Sequence, residues 1–372
     1  MTTTTSTGAP APIPSGRRGE TAAGSHRLQV VIAANLPEEL CRTIEESEPR
    51  VDVVRDHALH PARRSAAEWY GDPEQQRTAQ EQQAYQSMVD SADVLFGLPD
   101  GDPAALARTV RANPDLRWVQ TMAAGGGAQL RAAGLNDEEL ERLTVTTAAG
   151  VHGDPLAEFA LFGVLAGAKT LPRLQQLQQR HEWGGRLQMR HLSEMTVLIV
   201  GLGGIGAACA KKFSALGARV LGTTRSGDAV DGVDELVPID QLARAARDVD
   251  AIIVTLPGTD RTAGLIDERV LGGVREGTIL VNVGRGTVVD EPALLTALDA
   301  GRIGFAALDV TATEPLPADS PLWEHPHVLL SPHTAALSAK EDSRIVRLFT
   351  DNLHRYLDGR PLRNVVDTVE FY

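Results

Sequence analysis

Short apolar runs alternate with longer polar or amphipathic stretches along the chain from His26 onward. In the first part we predict a helix over Leu36–Ser47 and four strands: Leu28–Ala34, Arg50–His57, Ala92–Leu98 and Leu116–Ala124. Strands that alternate with helices are typical of βαβ units in a parallel sheet. The Gln-rich stretch between His57 and Asp90 predicts a solvated helix whose role stays open.

The second half of the chain contains six further apolar runs: Thr196–Val200, Ala218–Thr224, Asp250–Leu256, Thr278–Val283, Phe305–Val310 and His327–Ser331. They are nearly continuous in Val, Ile and Leu, which is typical of strands buried on both faces of a parallel sheet. Six such strands make a complete dinucleotide-binding unit. We therefore predict an α/β fold with a doubly wound parallel sheet in this half.

Two helical segments suggest the domain organisation. The segment Gly153–Lys169 is apolar on nearly every side apart from Glu158, which predicts a helix buried between domains or subunits. The apolar positions of Ser338–Leu357 recur at helical spacing, and we expect this helix to pack against the N-terminal half. The predicted parts are a disordered tail, residues 1–25; a discontinuous domain, residues 26–149 and 332–372; and a dinucleotide-binding domain, residues 150–331.

Composition narrows the class of protein. A length of 372 residues suits about two domains. The net charge of −13 argues against binding to nucleic acid or to an anionic membrane surface, since phosphate groups require a basic face. No apolar stretch approaches the roughly 20 residues that cross a bilayer. Cys41 and Cys209 are too few for a disulfide framework, and we expect a cytoplasmic protein.

The first strand of the second half runs directly into a glycine-rich loop. A GxGxxG pattern between a strand and a helix is a strong indication of dinucleotide binding. Gly201 permits the tight turn, Gly203 lets the backbone approach a pyrophosphate, and Gly206 lets the helix and strand pack closely. The helix N-terminus then offers free N–H groups to the phosphates. The predicted cofactor-binding residues of this loop are Gly201, Gly203, Gly204, Ile205 and Gly206.

The end of the next strand bears on the choice of cofactor. A carboxylate there binds the ribose hydroxyl of NAD, whereas this chain has Thr224, Arg225 and Ser226. A guanidinium and two hydroxyls are suited to a 2′-phosphate. The sequence therefore favours NADP(H), and NAD(H) stays open because Asp228 follows shortly after.

Further blocks carry a resemblance to a known family. After LIVGLGGIG come, in order, LPGTDRTAGLID, ILVNVGRGTVVDEPALLTAL, GFAALDVTATEPLP, SPLW and LLSPHTAA. Together they resemble the D-isomer-specific 2-hydroxyacid dehydrogenases, and within them the glyoxylate/hydroxypyruvate reductase branch. The resemblance implies two Rossmann-like domains with a cleft between them, the discontinuous one being a flavodoxin-like substrate domain. It also implies hydride transfer between NAD(P)H and a small 2-keto acid.

The same resemblance implies three catalytic residues. Arg285, in NVGRG, matches the arginine that binds the substrate carboxylate and keto oxygen, and its planar fork suits an α-keto acid. His333, in SPHT, matches the histidine that exchanges a proton with the substrate oxygen. Glu314 matches the glutamate that orients this imidazole. Formate dehydrogenases carry glutamine at that position, so the acid favours keto-acid reduction.

Further contacts follow from the resemblance. Asp309 matches a residue that contacts the nicotinamide amide. The backbone N–H groups of Ala124 and Gly125 match a turn that holds the substrate carboxylate. The family often has Ser/Ala-Gly-Val-Asp there, and this chain has Ala-Gly-Gly-Gly, which leaves the size of the substrate open. The residues that match loops passing over the cofactor are Leu256, Pro257 and Val283.

Two other functions stay open at this point. Corepressors that sense NAD(H) share the family fold, and 3-phosphoglycerate dehydrogenases share the family chemistry. The complete set of Arg285, Glu314 and His333 favours an enzyme over a corepressor. A 3-phosphoglycerate dehydrogenase needs further cations for the substrate phosphate, and the sequence does not place them.

The remaining expectations concern metals, a histidine and assembly. We expect no metal site, because a proline separates His325 from His327 and His333 has a catalytic assignment. His152 follows a predicted hinge at Gly150, and we expect it at the rim of the cleft. Family habit and the apolar helix that follows His152 predict a homodimer.

Overall fold

The computed structural model describes residues 27–63, 68–72, 74–225, 227–369 and 371. Two compact units make up the chain. The discontinuous unit comprises the chain up to Ala148 together with the chain from Asp342 onward, and the central unit runs from Ala149 to Glu341. The predicted tail, residues 1–25, lies outside the described residues.

The discontinuous unit is built on a five-stranded parallel sheet with the order β2-β1-β3-β4-β5, which is the flavodoxin-like order. Its strands are β1 (Leu28–Ile32), β2 (Val51–Val54), β3 (Val94–Phe96), β4 (Trp118–Gln120) and β5 (Thr144–Thr146). Its first helices are α1 (Glu38–Ser47), α2 (Ala79–Val89), α3 (Pro103–Ala112), α4 (Gly126–Ala132) and α5 (Asp137–Arg142). Strand β5 was not predicted, because three residues are too few for a periodic signal.

The Gln-rich stretch forms a shorter helix than the sequence predicts. Helix α2 begins only after Thr78, whose hydroxyl accepts a hydrogen bond from the backbone N–H of Glu81 while the Glu81 carboxylate accepts one from Thr78 N–H. This capping box defines the helix start. Tyr85 and Val89 are buried, so one side of α2 packs against the unit and the rest faces solvent.

The central unit contains a seven-stranded parallel sheet with the order β12-β11-β10-β9-β6-β7-β8. Its strands are β6 (Thr196–Val200), β7 (Arg219–Thr223), β8 (Glu235–Leu236), β9 (Ala251–Val254), β10 (Thr278–Asn282), β11 (Ile303–Leu308) and β12 (Val328–Leu330). Its helices are α6 (Gly153–Ala168), α7 (Leu171–Gln179), α8 (Gly204–Ala215), α9 (Leu242–Ala245), α10 (Glu268–Leu271) and α11 (Glu291–Asp299). From β8 to β11 the order is that of the dinucleotide-binding fold, with β12 added at the edge. The α/β prediction is confirmed.

Each face of the central sheet is covered by a separate apolar core. Successive residues of β6 point to opposite faces, so Val197 and Ile199 enter one core while Leu198 and Val200 enter the other. Helices α6 and α8 cover the first face. Burial on both faces explains the nearly continuous apolar character of these strands.

Helix α6 packs against the central unit's own sheet. Gly163 makes this possible, because a Cβ atom at this position would lie 2.8 Å from the Cβ of Ala307 on β11. The side of α6 that carries Phe162 is exposed. The apolar character of the helix is therefore only partly explained by packing within the unit.

The last helix, α12 (Glu341–Leu357), carries the chain back to the discontinuous unit, as predicted. The ring of Phe349 stacks on Trp118 at a centroid distance of 4.9 Å and meets Phe96 edge-on at 5.0 Å. In the described part of the chain, no helix is both long enough and apolar enough to cross a membrane.

The second boundary between the units lies about ten residues later than the predicted 331/332 position. Hydrogen bonds from the N–H groups of Thr334 and Ala335 to the Asp309 carboxylate hold this segment on the central sheet. Ala335 and Ala336 also pack against the core below α6. Residues 332–341 therefore belong to the central unit.

Candidate active site

The glycine-rich loop follows β6 at the carboxyl edge of the central sheet. Gly201 adopts a φ of +107°, a conformation that glycine adopts without strain. Its N–H donates a hydrogen bond of 2.9 Å to Oγ1 of the buried Thr223. A Cβ atom at position 206 would overlap the carbonyl oxygen of Gly201. The loop is therefore closed against its own helix, and position 206 has room only for glycine.

The start of α8 has the features of an anion-binding site. The helix begins at Gly204 with Gly203 as its N-cap residue, and no side chain caps it. Gly203 and Gly204 are exposed, and a Cβ atom at 203 would meet no atom within 4 Å. Exposed N–H groups at the N-terminus of a 12-residue helix fit the pyrophosphate of a dinucleotide.

The residues proposed to select the cofactor follow β7. Thr224 is half-buried and Arg225 is exposed. Ser226 lies outside the described residues. Arg225 is thus accessible to a ligand, as recognition of a phosphate requires.

The turns after β9 and β10 pack tightly beside this loop. A Cβ atom at Gly201 would lie 2.7 Å from Cδ2 of Leu256, and one at Gly284 would lie 2.5 Å from the Leu256 carbonyl oxygen. Leu256 therefore adjoins the glycine-rich loop, next to Pro257. Val283 is buried, and its N–H donates a hydrogen bond to the carbonyl oxygen of Val254.

Arg285 leaves the end of β10 on a turn that is held by Asn282. The Asn282 side chain accepts a hydrogen bond from Gly284 N–H at 3.0 Å and donates one to the Arg285 carbonyl oxygen at 3.1 Å. The guanidinium donates from Nη1 to the Gly284 carbonyl oxygen at 2.7 Å, and the residue is half-buried. The sequence analysis assigned no role to Asn282, although Asn282 is the first residue of the NVGRG block that contains Arg285.

His333 and Glu314 form a hydrogen bond of 2.7 Å between Nδ1 and Oε2. Both side chains are partly exposed, at 47% and 37%. The other carboxylate oxygen of Glu314, Oε1, accepts a hydrogen bond from Thr311 N–H at 3.1 Å. Because the carboxylate accepts at Nδ1, the imidazole carries its proton there and leaves Nε2 for another partner.

Asp309 builds the turn that presents His333. Its buried Oδ1 accepts hydrogen bonds from Ser331 Oγ at 2.6 Å and from the N–H groups of Thr334 and Ala335 at 3.0 Å. Its carbonyl oxygen accepts from His333 N–H at 2.9 Å. His333 has a φ of +51°, which is rare for a residue with a side chain and persists only where such bonds enforce it. The sequence did not reveal this role of Asp309.

The turns that carry the three predicted catalytic residues lie side by side. Arg285, Glu314 and His333 follow β10, β11 and β12, which are neighbouring parallel strands. A Cβ atom at Gly286 would overlap the carbonyl group of Thr311, so the Arg285 turn touches the Glu314 turn. The structure thus brings all three to one edge of the sheet.

Comparisons with known proteins agree with this arrangement. Residues 161–335 match the model of the D-isomer specific 2-hydroxyacid dehydrogenase NAD binding domain. Over 263 residues the chain is 30% identical to a glyoxylate/hydroxypyruvate reductase A from Salmonella dublin, covering 69% of this chain and 82% of that protein. The chain belongs to the D-isomer-specific 2-hydroxyacid dehydrogenase family. The predicted resemblance is confirmed.

Solved structures of related dehydrogenases extend the likeness to almost the whole chain. A D-isomer specific 2-hydroxyacid dehydrogenase from Xanthobacter autotrophicus Py2, in complex with NADPH and MES, is 27% identical with a TM-score of 0.72 over 93% of this chain and 99% of that one. The NADPH-dependent glyoxylate/hydroxypyruvate reductase of Sinorhizobium meliloti, in complex with NADP and sulfate, is 25% identical with a TM-score of 0.71 over 93% of this chain and 100% of that one. This dehydrogenase is an oxidoreductase that uses NAD(P) and acts on 2-hydroxy acids.

The predicted carboxylate-binding turn of this 2-hydroxyacid dehydrogenase lies in the discontinuous unit. Ala124 and Gly125 are exposed, and Gly125 is the N-cap residue of α4 without a side-chain cap. The Thr121 hydroxyl donates to the Ala123 carbonyl oxygen at 2.9 Å and closes the turn. A Cβ atom at Gly126 would overlap this hydroxyl, so the run of glycines allows the tight packing.

The expected position of His152 at the rim is wrong. His152 is 7% exposed, and its Nε2 lies 2.5 Å from Oε1 of the buried Glu341. No pattern in the sequence around His152 indicated this partner, which lies 189 positions away.

Proposed function

We propose that this dehydrogenase reduces glyoxylate, hydroxypyruvate or a similarly small 2-keto acid with NADPH. The observation that carries the proposal is the His333–Glu314 hydrogen bond on the sheet edge that also presents Arg285. Relatives named as glyoxylate/hydroxypyruvate reductases support the choice of substrate.

The proposed mechanism assigns one role to each side chain. The Arg285 guanidinium binds the substrate carboxylate and keto oxygen through its planar pair of donors. His333 gives a proton from Nε2 to the keto oxygen, because Glu314 occupies Nδ1. The Glu314 carboxylate accepts from Nδ1 and holds the ring in this orientation. A bound reduced nicotinamide supplies the hydride. We further assign the substrate carboxylate to the N–H groups of Ala124 and Gly125.

The proposed cofactor site combines the glycine-rich loop with the neighbouring turns. Its residues are Gly201, Gly203, Gly204, Ile205, Gly206, Thr224, Arg225, Ser226, Leu256, Pro257, Val283 and Asp309. The exposed Arg225 and the absence of a carboxylate among residues 224–226 favour NADPH over NADH. Replacing Arg225 by Ala is expected to lower kcat/KM for NADPH about tenfold or more relative to NADH, because a charge-assisted hydrogen bond is lost. If the ratio of kcat/KM for NADPH to kcat/KM for NADH is unchanged in Arg225→Ala, Arg225 does not bind the cofactor.

Turnover of a substrate panel tests the proposed activity. Initial rates of NADPH oxidation are measured with glyoxylate, hydroxypyruvate, bulkier 2-keto acids and phosphohydroxypyruvate. The proposal expects the small unphosphorylated acids to give the highest kcat/KM. A preference for phosphohydroxypyruvate would instead indicate a phosphoglycerate dehydrogenase, and NADPH binding without any turnover would indicate a sensor.

Arg285→Lys is expected to raise KM for the keto acid, since an ammonium lacks the paired donors.

We also propose a cytoplasmic homodimer. Apolar side chains on α6, on α7 and in the segment that follows are exposed: Phe162, Leu174, Trp183 and Leu187, with Trp183 fully so. Exposed apolar surface of this kind is typical of an interface. The free thiols of Cys41 and Cys209 suit a reducing compartment. Light scattering after gel filtration is expected to give twice the monomer mass, and Trp183→Glu is expected to shift it toward monomer.

A further inference from the structure

The segment that carries His333, residues 331–341, is held in place by polar contacts at both of its ends. At its beginning, Asp309 binds Ser331, Thr334 and Ala335, as described above. At its far end, Glu341 opens α12 and reaches the buried His152. Between them the chain crosses Ser338, whose carbonyl oxygen accepts from Glu341 N–H at 3.0 Å. The first anchor forms the turn that presents His333, whereas the second anchor has no part in the proposed mechanism.

The second anchor also leads to the glycine-rich loop. His152 is the N-cap residue of α6, and Gly153 follows it as the first helical residue. A Cβ atom at Gly153 would lie 3.0 Å from the carbonyl oxygen of Gly204, the first residue of α8. One at Gly204 would lie 3.4 Å from Cα of Gly150. The base of α6 therefore rests directly on the start of the proposed phosphate-binding helix.

The His152–Glu341 pair is built as a single strong link. Both side chains are buried, and the other Glu341 oxygen, Oε2, is buried without a hydrogen-bond partner among the described residues. Glu341 lies in the first turn of the 17-residue α12, and His152 lies at the start of the 16-residue α6. Because a buried carboxylate is costly without a donor, the His152 Nε2–H holds Glu341 in one place.

We propose that the His152–Glu341 pair positions the His333 segment relative to the glycine-rich loop. Glu341 ends the His333 segment, and His152 lies at the base of α6, which rests on the glycine-rich loop. The hydrogen bond between them therefore links the two parts of the site, and all of these residues belong to the central unit. His152 and Glu341 are positioning residues in this inference, which rests on the proposed function of His333. The hydride and the proton go to neighbouring atoms of the substrate. The glycine-rich loop that holds the cofactor and the segment that holds His333 must therefore keep a fixed relative position.

Breaking the link should slow the chemical step. In Glu341→Ala and His152→Ala the His333 segment loses its far anchor, and we expect kcat to fall about tenfold or more, since small misplacements are that costly. The isotope effect on kcat with NADPH deuterated at the transferred hydrogen should rise, because chemistry becomes more rate-limiting. NADPH affinity, followed by fluorescence, should stay within about twofold. A variant that only unfolds more readily would keep the wild-type isotope effect.

Conservative variants and a neighbouring acid provide the controls. Glu341→Gln keeps an acceptor for His152, so its kcat should be close to that of the wild type. This variant tests the positioning role even if Glu341→Ala folds poorly. Asp342→Asn alters the same helical turn, but Asp342 binds Arg63 and Trp69 in the discontinuous unit and should leave the isotope effect unchanged. Hydrogen exchange of the peptide spanning residues 331–341 should accelerate in Glu341→Ala and not in Asp342→Asn.

His333→Ala separates failure of this inference from failure of the proposed function. If that variant keeps its turnover, the catalytic role of His333 is wrong and the positioning role falls with it. If His333→Ala is slow while Glu341→Ala and His152→Ala match the wild type in kcat, isotope effect and hydrogen exchange, only the positioning role is overturned.

Discussion

The two ends of the carboxyl edge of the central sheet use different parts of the chain. Where β6 ends, the proposed phosphate-binding loop consists of backbone, and the side chains of Thr223 and Thr255 hold it: Thr255 Oγ1 donates to the Gly201 carbonyl oxygen at 2.5 Å. Where β10, β11 and β12 end, the site consists of side chains on turns that Asn282 and Asp309 hold.

This difference implies different tolerance to substitution. At the backbone end a side chain must be absent, because the space at Gly206 is already filled by the carbonyl group of Gly201. At the side-chain end the reactive groups are partly exposed and contribute little packing. A side chain added at Gly206 should therefore damage stability and cofactor binding together, whereas loss of the partly exposed reactive group of His333 should damage turnover alone.

The largest effect is expected from His333→Ala. Loss of the proton donor should lower kcat about 10²–10⁴-fold, the usual contribution of general acid catalysis. The melting temperature and NADPH affinity should not change, since the side chain is about half exposed. His327→Ala, an exposed histidine nearby, serves as the control and should keep wild-type turnover. A loss in His333→Ala below about threefold would contradict the catalytic role.

Gly206→Ala should show the opposite pattern. The added methyl group overlaps the Gly201 carbonyl oxygen, so we expect a loss of about 1–3 kcal/mol in the free energy of unfolding. NADPH binding should weaken at least about tenfold, because the loop must open to make room. Denaturant unfolding and fluorescence titration measure the two effects. The matched control is Gly203→Ala, whose Cβ meets open space and should leave the free energy of unfolding unchanged.

Asp309→Asn tests whether the turn beneath His333 needs a charge. The amide keeps the shape but weakens the bonds from Ser331, Thr334 and Ala335, so kcat should fall by about a factor of ten at a stability cost of about 1 kcal/mol. Asp299→Asn, at an exposed acid, is the control for a lost charge. Wild-type kcat in Asp309→Asn would show that shape alone holds the turn.

The smallest effect concerns Cys209, a reporter of packing on α8. Burial raises the pKa of its thiol to about 12, so the reactive thiolate is scarce near neutral pH and alkylation of the native protein should be slow. Gly206→Ala should accelerate alkylation of Cys209, and His333→Ala should not. Cys41, in the discontinuous unit, is the internal reference because burial raises its pKa to about 11. Peptide mass spectrometry distinguishes the two sites, and equal rates in both variants would refute the comparison.

The sequence predicted long, periodic elements correctly and failed for short ones. The six long apolar runs of the central sheet are all strands, because burial on both faces leaves few polar interruptions. The short strands β5 and β8 were missed, since two or three residues carry no period. The Gln-rich helix was overestimated because its start depends on the capping box of Thr78 and Glu81.

By itself the sequence determined the fold class, the glycine-rich loop and the order of the blocks that present Arg285, Glu314 and His333. These features are local, because each strand, turn and helix start is encoded by adjacent residues. Only the tertiary structure showed that Asp309 fastens the His333 turn, that residues 332–341 belong to the central unit, and that His152 meets Glu341. Those contacts join residues far apart in the chain, and folding alone decides which of many possible polar partners becomes buried beside which.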